Sequence, residues 1–391
     1  MSAGADASER AGAGLFWPAA ILALCLKLLL AASTAGSNDA ITWEHNLITL
    51  RTAGFAELYR SGVQYDSPDG RPSQRQAFIH PPAVLHGLRL LGALQEASGW
   101  PLRFWLRAAG ALADLGTLML LRGMFRERRG ALLLLALSPV SILISGFHGN
   151  TDPIMMFFLV AAVCCAGRER VLSSGSAFGF ACSVKLIPVI FAAGILLHLR
   201  DAAARSRWAS AAVAVWIALA LPYLAQEPAL ILRSMLAYSG ATGLWGLSLI
   251  STVSGADRYY LPVAKWIAVL GAAGLPLLWK RTLFAQAGLS AFSFLLLSPA
   301  FGLQYLAWTI PWTVLLSRHW MRLYMAVTAS VAIAVYAAAS EKTVAGLYAD
   351  LLDPAHFPAL ILMGIVSWIL IAAITLCWAP SRMDKEKLWE D

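Results

Sequence analysis

Long apolar stretches recur along the whole of this chain, divided by short polar turns and by small clusters of Lys and Arg. Such stretches fit the interior of a very large globule or a lipid bilayer. With 59% hydrophobic and only 13% charged residues, a chain of 391 residues lacks the polar surface to face water. In lipid every backbone group must be paired within its own segment. The pattern therefore predicts an all-α, polytopic integral membrane protein with about 10–12 transmembrane helices. It excludes a cytosolic enzyme, a secreted disulfide scaffold and a DNA-binding domain. The formal net charge of +8 is topological, because the basic residues sit between apolar stretches, so no nucleic-acid partner is expected.

The basic clusters fall at Arg126, Arg128 and Arg129; Arg168 and Arg170; Arg200, Arg205 and Arg207; Lys280 and Arg281; Arg318 and Arg322; and Arg382, Lys385 and Lys387. These mark the cytoplasmic side of a cell (inner) membrane. Residues 37–82, 146–152, 226–260, 298–304 and 341–357 belong outside. Residues 15–32 are long enough to be the first span and not the apolar core of a signal peptide. Residues 173–199 must enter and return to the same side, as two half-spans broken at Lys185 to Pro188. Residues 81–97 and 102–121 resemble two crossings where the charges require one, so either the former is a tilted or partial span or the positive-inside rule fails locally. In the first outer loop, residues 36–82, Trp43, Leu47, Leu50, Gly54 and Leu58 follow helical spacing and predict an amphipathic helix at the membrane surface. The organisation divides into a transmembrane module, 1–225, and a more variable part, 226–391. No internal repeat is visible. The five cysteines lie in apolar runs without metal or redox spacing and read as small core hydrophobes.

Several polar residues stand where apolar ones would be cheaper. Asp39 follows the first span, where it is either a helix cap or an interfacial base. His80 opens the run His80-Pro81-Pro82, as a solvated cap or a ligand to a phosphate. Residues 145–153 form a polar knot holding His148, Asn150 and Asp152, which must line a cavity or a surface, or simply start a helix. Lys185 is ionisable within an apolar half-span, and Lys27 within the first span; each either snorkels or serves a site. Residues 297–308 give a polar-aromatic turn, read either as an aromatic belt or as part of a site.

In this order the runs resemble the polytopic glycosyltransferases of the GT-C fold, in the bacterial branch related to polyprenol-phosphate-dependent mannosyltransferases. The resemblance rests on Ser37, Asp39 and Trp43; on His80-Pro81-Pro82; and on Ser138-Pro139 leading into Gly146 to Asp152. It continues with Lys185 to Pro188 after a Gly-rich helix, with Ser298-Pro299, and with Gln304 to Trp308, and it covers residues 15–320. It implies transfer of a sugar, a hexose such as mannose, from a polyprenyl-phosphate donor to a glycolipid, glycan or protein acceptor on the outer face. The acidic residue of the first outer loop, Asp39, would stand at the catalytic centre. The chain departs from the family in its second acidic residue, Glu44, five positions on instead of adjacent, and in Asn150 and Asp152.

A phosphate-linked sugar already carries its leaving group, so the chemistry needs one base and donors for the departing phosphate. Asp39 would be that base in an inverting displacement. Lys185, His148 and His80 would hold the phosphate, and Glu44, Asn150, Asp152, Gln304 and Tyr305 would contact substrate. No metal and no cofactor is demanded, since no carboxylate cluster suits a divalent cation. A transporter or lipid flippase is the rival reading. It predicts the same residues along a path through the bilayer, and an enzyme predicts them around one outward cavity.

Overall fold

The computed structural model describes residues 3–64, 76–236, 242, 243, 245–278, 281–339 and 357–378. The order of elements is α1 (Ala3–Ser33), α2 (Asn38–Thr52), α3 (Gly54–Ser61), α4 (Ala83–Ser98), α5 (Leu102–Met124), α6 (Arg129–Ala136) and α7 (Pro139–Leu143). The last of these runs directly into a π-helical turn, Ile144–His148. Then come α8 (Asp152–Gly167), α9 (Val171–Val184), a 3-10 turn Ile187–Phe191, α10 (Ala192–His198), α11 (Ala202–Leu224), α12 (Pro228–Leu236), α13 (Gly246–Ser254) and α14 (Asp257–Gly274). The chain continues through α15 (Leu283–Leu297), the 3-10 turns Leu303–Trp308 and Ile310–Leu315, α16 (Arg318–Ala339) and α17 (Phe357–Trp378). Among the described residues six helices are long and apolar enough to cross a bilayer, and five more apolar helices are shorter. This is the multi-pass, all-α architecture that the apolar pattern requires. Lys280, Arg382, Lys385, Lys387, residues 341–356 and part of 226–260 lie outside the described residues.

Arg107 settles the crossing at the front end. It is 1% exposed and donates to the carbonyls of Ala31 and Thr34, at 2.9 and 2.8 Å, and to the Thr34 hydroxyl at 2.9 Å. The last carbonyls of α1 have no partner within their helix, and a cation there also complements the helix dipole. The second turn of α5 therefore sits against the end of α1, and the excursion between them begins and ends at one side. Within it α4 makes no net crossing. It lies alongside α2 and runs in the same direction, with His80, just before it, on Trp43 and its late residue Glu96 2.9 Å from Arg51.

The amphipathic helix forms in two pieces, α2 and α3, because Gly54 takes a left-handed φ of +84° and breaks the spiral. Its stripe of Trp43, Leu47, Leu50 and Leu58 is buried, though against protein, in one cluster with Phe78, Leu85, Leu88 and Leu106, while Gly54 is only half-buried. The break between half-spans also falls where Pro188 requires it: α9 stops at Val184, Lys185 is extended, and a 3-10 turn leads into α10.

Two packing devices fix the helices that carry polar groups. On α9, Gly175 and Gly179 lie four apart, and a Cβ on either would fall 2.3 Å from the Trp208 carbonyl or 2.4 Å from that of Ala212. This is the small-residue spacing by which membrane helices approach closely, and it seats α9 on α11. Across α1, α5 and α7, Lys27 pairs with Asp114 at 2.7 Å and donates to Ser141 at 2.8 Å, while the Ser141 and Ser145 hydroxyls donate to the same carboxylate. Lys27 is thus buried and paired, and does not snorkel. Of the cysteines, Cys164 and Cys182 are buried as expected; Cys25 and Cys377 face outwards and Cys165 is half-buried, because helix rotation turns them away from the core.

Lys27→Met leaves Asp114 buried without its cation, which should cost about 3–5 kcal/mol. Adding Asp114→Leu should recover most of it. Thermal unfolding of the purified variants checks this: a single variant as stable as the parent would show that the pair contributes nothing.

Candidate active site

Two loops meet at the end of α1. The first, residues 34–39, turns at Gly36, whose φ of +87° and lack of a Cβ let the Phe147 carbonyl approach; a Cβ there would lie 2.8 Å from that oxygen. The second, residues 146–152, leaves the π-helical turn through Gly149, also left-handed at φ +79°. Ser37 joins them. Its hydroxyl donates to the His148 carbonyl at 2.6 Å and accepts the Asp39 backbone N–H at 3.2 Å. The helix cap is therefore Ser37, which corrects the reading of Asp39 as an N-cap and leaves the Asp39 carboxylate for other partners.

Those partners come from the second loop. Asp39 Oδ2 lies 3.1 Å from His148 Nε2 and accepts from Asn150 Nδ2, and Asn150 is itself fixed by the Thr151 N–H at 2.6 Å. His148 Nδ1 is buried and has no hydrogen-bond partner among the described residues. Surrounding protein pushes the Asp39 carboxyl up, but His148, by charge and by its hydrogen bond, together with Lys185 and Asn150, outweighs this and holds it at about 2.

Asp152 meets a different fate. It opens α8 with Pro153 beside it, and both of its oxygens bind Lys185 at 2.8 Å. Trp308 Nε1–H donates to the same carboxylate at 2.6 Å. Asp152 is fully buried, whereas the Asp39 side chain is 38% exposed, so Asp39 is the carboxylate that a substrate can reach. The counter-ion of Lys185 is thus Asp152. The lysine does not depend on a bound phosphate for compensation.

His80 lies near both Asp39 and Lys185. Its ring packs on Trp43 with centroids 4.6 Å apart, and its carbonyl accepts from Tyr59 at 2.6 Å. Burial, then the charge of Lys185, lower its pKa to about 3 against the partial support of Asp39. His80 is therefore a neutral donor or acceptor at physiological pH and not a cation for a phosphate. Glu44 does not join the cluster; it pairs with Arg103 at 3.4 Å on the α5 side of α2. Tyr305 is buried and stacks on Trp308 at 4.3 Å, and Gln304 lies half-buried beside it. Trp308 is no belt residue but part of the Asp152 cluster. Its role, and those of Asp114 and Arg107, escaped the sequence reading, although an ionisable residue inside an apolar helix was the signal available for the last two.

The fold and this arrangement define a GT-C polytopic membrane glycosyltransferase. The chain belongs to glycosyltransferase family 87, whose model matches residues 78–301; Asp39 precedes the matched segment. Among solved structures, ArnT from Cupriavidus metallidurans in the apo state is similar at a TM-score of 0.51 and 16% identity, covering 95% of this chain and 73% of that one. ArnT from the same organism bound to undecaprenyl phosphate gives a TM-score of 0.48 at 14% identity, over 94% and 76% of the two chains. No curated protein matches the chain.

The low pKa of Asp39 has a stability signature. Its folded value of about 2 lies below its ordinary 3.8, so its contribution is complete above about pH 5 and is lost as the pH falls toward 2. The difference in thermal midpoint between the parent and Asp39→Asn should stay constant above about pH 5 and close between about pH 4 and 2. A difference flat through that window would mean that the carboxylate is not held in this way.

Proposed function

We propose that this chain transfers a sugar, a hexose such as mannose, from a polyprenyl phosphate to an acceptor hydroxyl at the outer face of the cell membrane, by direct displacement with inversion. The observation that carries the reading is a reachable carboxylate, Asp39, beside a lysine and a histidine at one end of the helical bundle. Family membership supplies the transfer of a sugar. The lipid phosphate is supported by ArnT, whose apo form shares the fold and which also has a structure with undecaprenyl phosphate bound. These groups gather at one end of the bundle, which favours a single reaction centre over a path through the bilayer.

In the proposed step the acceptor oxygen attacks the anomeric carbon, the bond from that carbon to the phosphate oxygen breaks, and its electron pair leaves with the phosphate. A carboxylate of pKa about 2 cannot deprotonate an unactivated alcohol to any extent. It takes the proton as the new C–O bond forms, when the hydroxyl has become acidic. Asn150 and His148 hold it in position. Lys185 has three N–H donors, of which two serve Asp152, so one is left for the departing phosphate. His148 stands with Nε2 on Asp39 and with its second ring nitrogen, Nδ1, unpartnered among the described residues and placed toward the phosphate. Gln304 and Tyr305 contribute as the wall behind Trp308.

Asp39→Asn should lower sugar transfer from polyprenyl-phosphate donors by about 10²- to 10⁴-fold, because an amide accepts no proton. Retained turnover would sink the base assignment. For Lys185, the pair Lys185→Met with Asp152→Asn removes both charges together and avoids a stranded anion. Its transfer rate should fall and its donor KM rise, with the acceptor KM unchanged. A defect confined to the acceptor would overturn the phosphate role.

A further inference from the structure

At the other end of the α1 and α5 pair, roughly 25–30 Å from Thr34 by the helical rise, the chain is again basic. A cavity of about 470 Å³ opens there between Phe16, Met119, Arg122, Arg126, Arg129 and Leu132. The active-site residues lie at the opposite end, beyond Ser33. The basic cluster was expected on topological grounds alone; the structure adds a built concavity, with arginines on one wall and apolar side chains on the other.

We propose that this cavity binds the head group and upper acyl chains of an anionic glycerophospholipid. Arg122 stacks on both Phe16 and Trp17, its guanidinium carbon 4.9 Å from each ring centroid. That stacking fixes the plane of the guanidinium and leaves its N–H edges for oxygens, the geometry in which Arg binds phosphate with two donors. Among the described residues neither Arg122 nor Arg126 is ion-paired to a carboxylate. The floor is apolar, with Phe16 and Leu132 buried, and the neighbouring α1 residues Leu15, Trp17 and Ile21 face outwards. The cavity therefore continues onto the lipid-facing surface. A free anion would use the arginines and leave the apolar wall uncovered. A zwitterionic phospholipid would bring its own cation among three arginines. A lipid with a net negative head group satisfies both walls, as basic pockets at the cytoplasmic ends of membrane helices do in general.

The test uses the full chain, purified and stripped of lipid, then offered equal amounts of dioleoyl phosphatidylglycerol and dioleoyl phosphatidylcholine, with bound lipid counted by native mass spectrometry. The parent should retain the anionic lipid about tenfold over the zwitterionic one. Arg122→Gln with Arg126→Gln should abolish the preference, while Arg122→Lys with Arg126→Lys should keep part of it. Excess inorganic phosphate should not displace the lipid. A second measurement needs no arginine variant: brominated phosphatidylglycerol should quench the fluorescence lost in Trp17→Phe more than brominated phosphatidylcholine does. Equal retention of the two lipids, an unchanged preference in the Gln variant, equal quenching, or full displacement by inorganic phosphate would each overturn the proposal, the last in favour of a free-anion site.

Discussion

Charges held where neither water nor lipid can solvate them must find one another, and in this chain that requirement decides which helices touch. Lys27 and Asp114 bind α1 to α5, and Ser141 and Ser145 bring in the segment that follows α6. Arg107 then caps α1 from the side of α5. With these joints made, the residues after α1 and the residues after the π-helical turn have little freedom but to meet. The meeting of Asp39 with His148 and Asn150 is the downstream result of pairings made inside the membrane.

The two carboxylates at this end share neighbours but not a role. Asp152 is spent on Lys185 and Trp308 and is sealed, so it fixes the start of α8 to the break after α9. Asp39 accepts from two side chains and stays open to the surroundings. The first pair is architecture that keeps an ammonium in place; the second is a carboxylate held ionised at any physiological pH, which in the proposed mechanism receives the proton that the transfer releases.

Much of this was legible because it depends on local pattern. The spans follow from apolar length, the half-span break from Pro188, and the buried face of α2 from the spacing of Trp43, Leu47 and Leu50. The polar knot that holds His148 stood out through the expense of polar groups near lipid, whereas Asp39 stood out as a candidate base through the family resemblance. Partners were not legible, since they depend on helix rotation and on which helices become neighbours. Lys27 therefore read equally as a snorkelling residue or as part of a site until Asp114 lay opposite it, and Lys185 called for a phosphate until Asp152 supplied its charge. The Ser37 cap was missed because two good capping residues stand two positions apart and only the backbone turn at Gly36 chooses between them. For Trp308 the belt and the site readings stayed open together, because its apolar ring dominates any hydropathy argument, whereas its single N–H binds Asp152.

The π-helical turn Ile144–His148 carries one residue more per hydrogen-bonded ring than an α-helix would. It lies against α1, where a Cβ on Gly146 would come within 2.8 Å of the Lys27 Cα. Shortening it by one residue would let the turn relax into an α-helix and rotate the downstream residues by about 100°, which would swing His148 off Asp39 without altering any side chain. Length here is therefore a functional variable in its own right. Divergent descendants of this chain are free to exchange the apolar residues of the turn, while an indel between Ser145 and Asn150 would uncouple the two loops at a stroke.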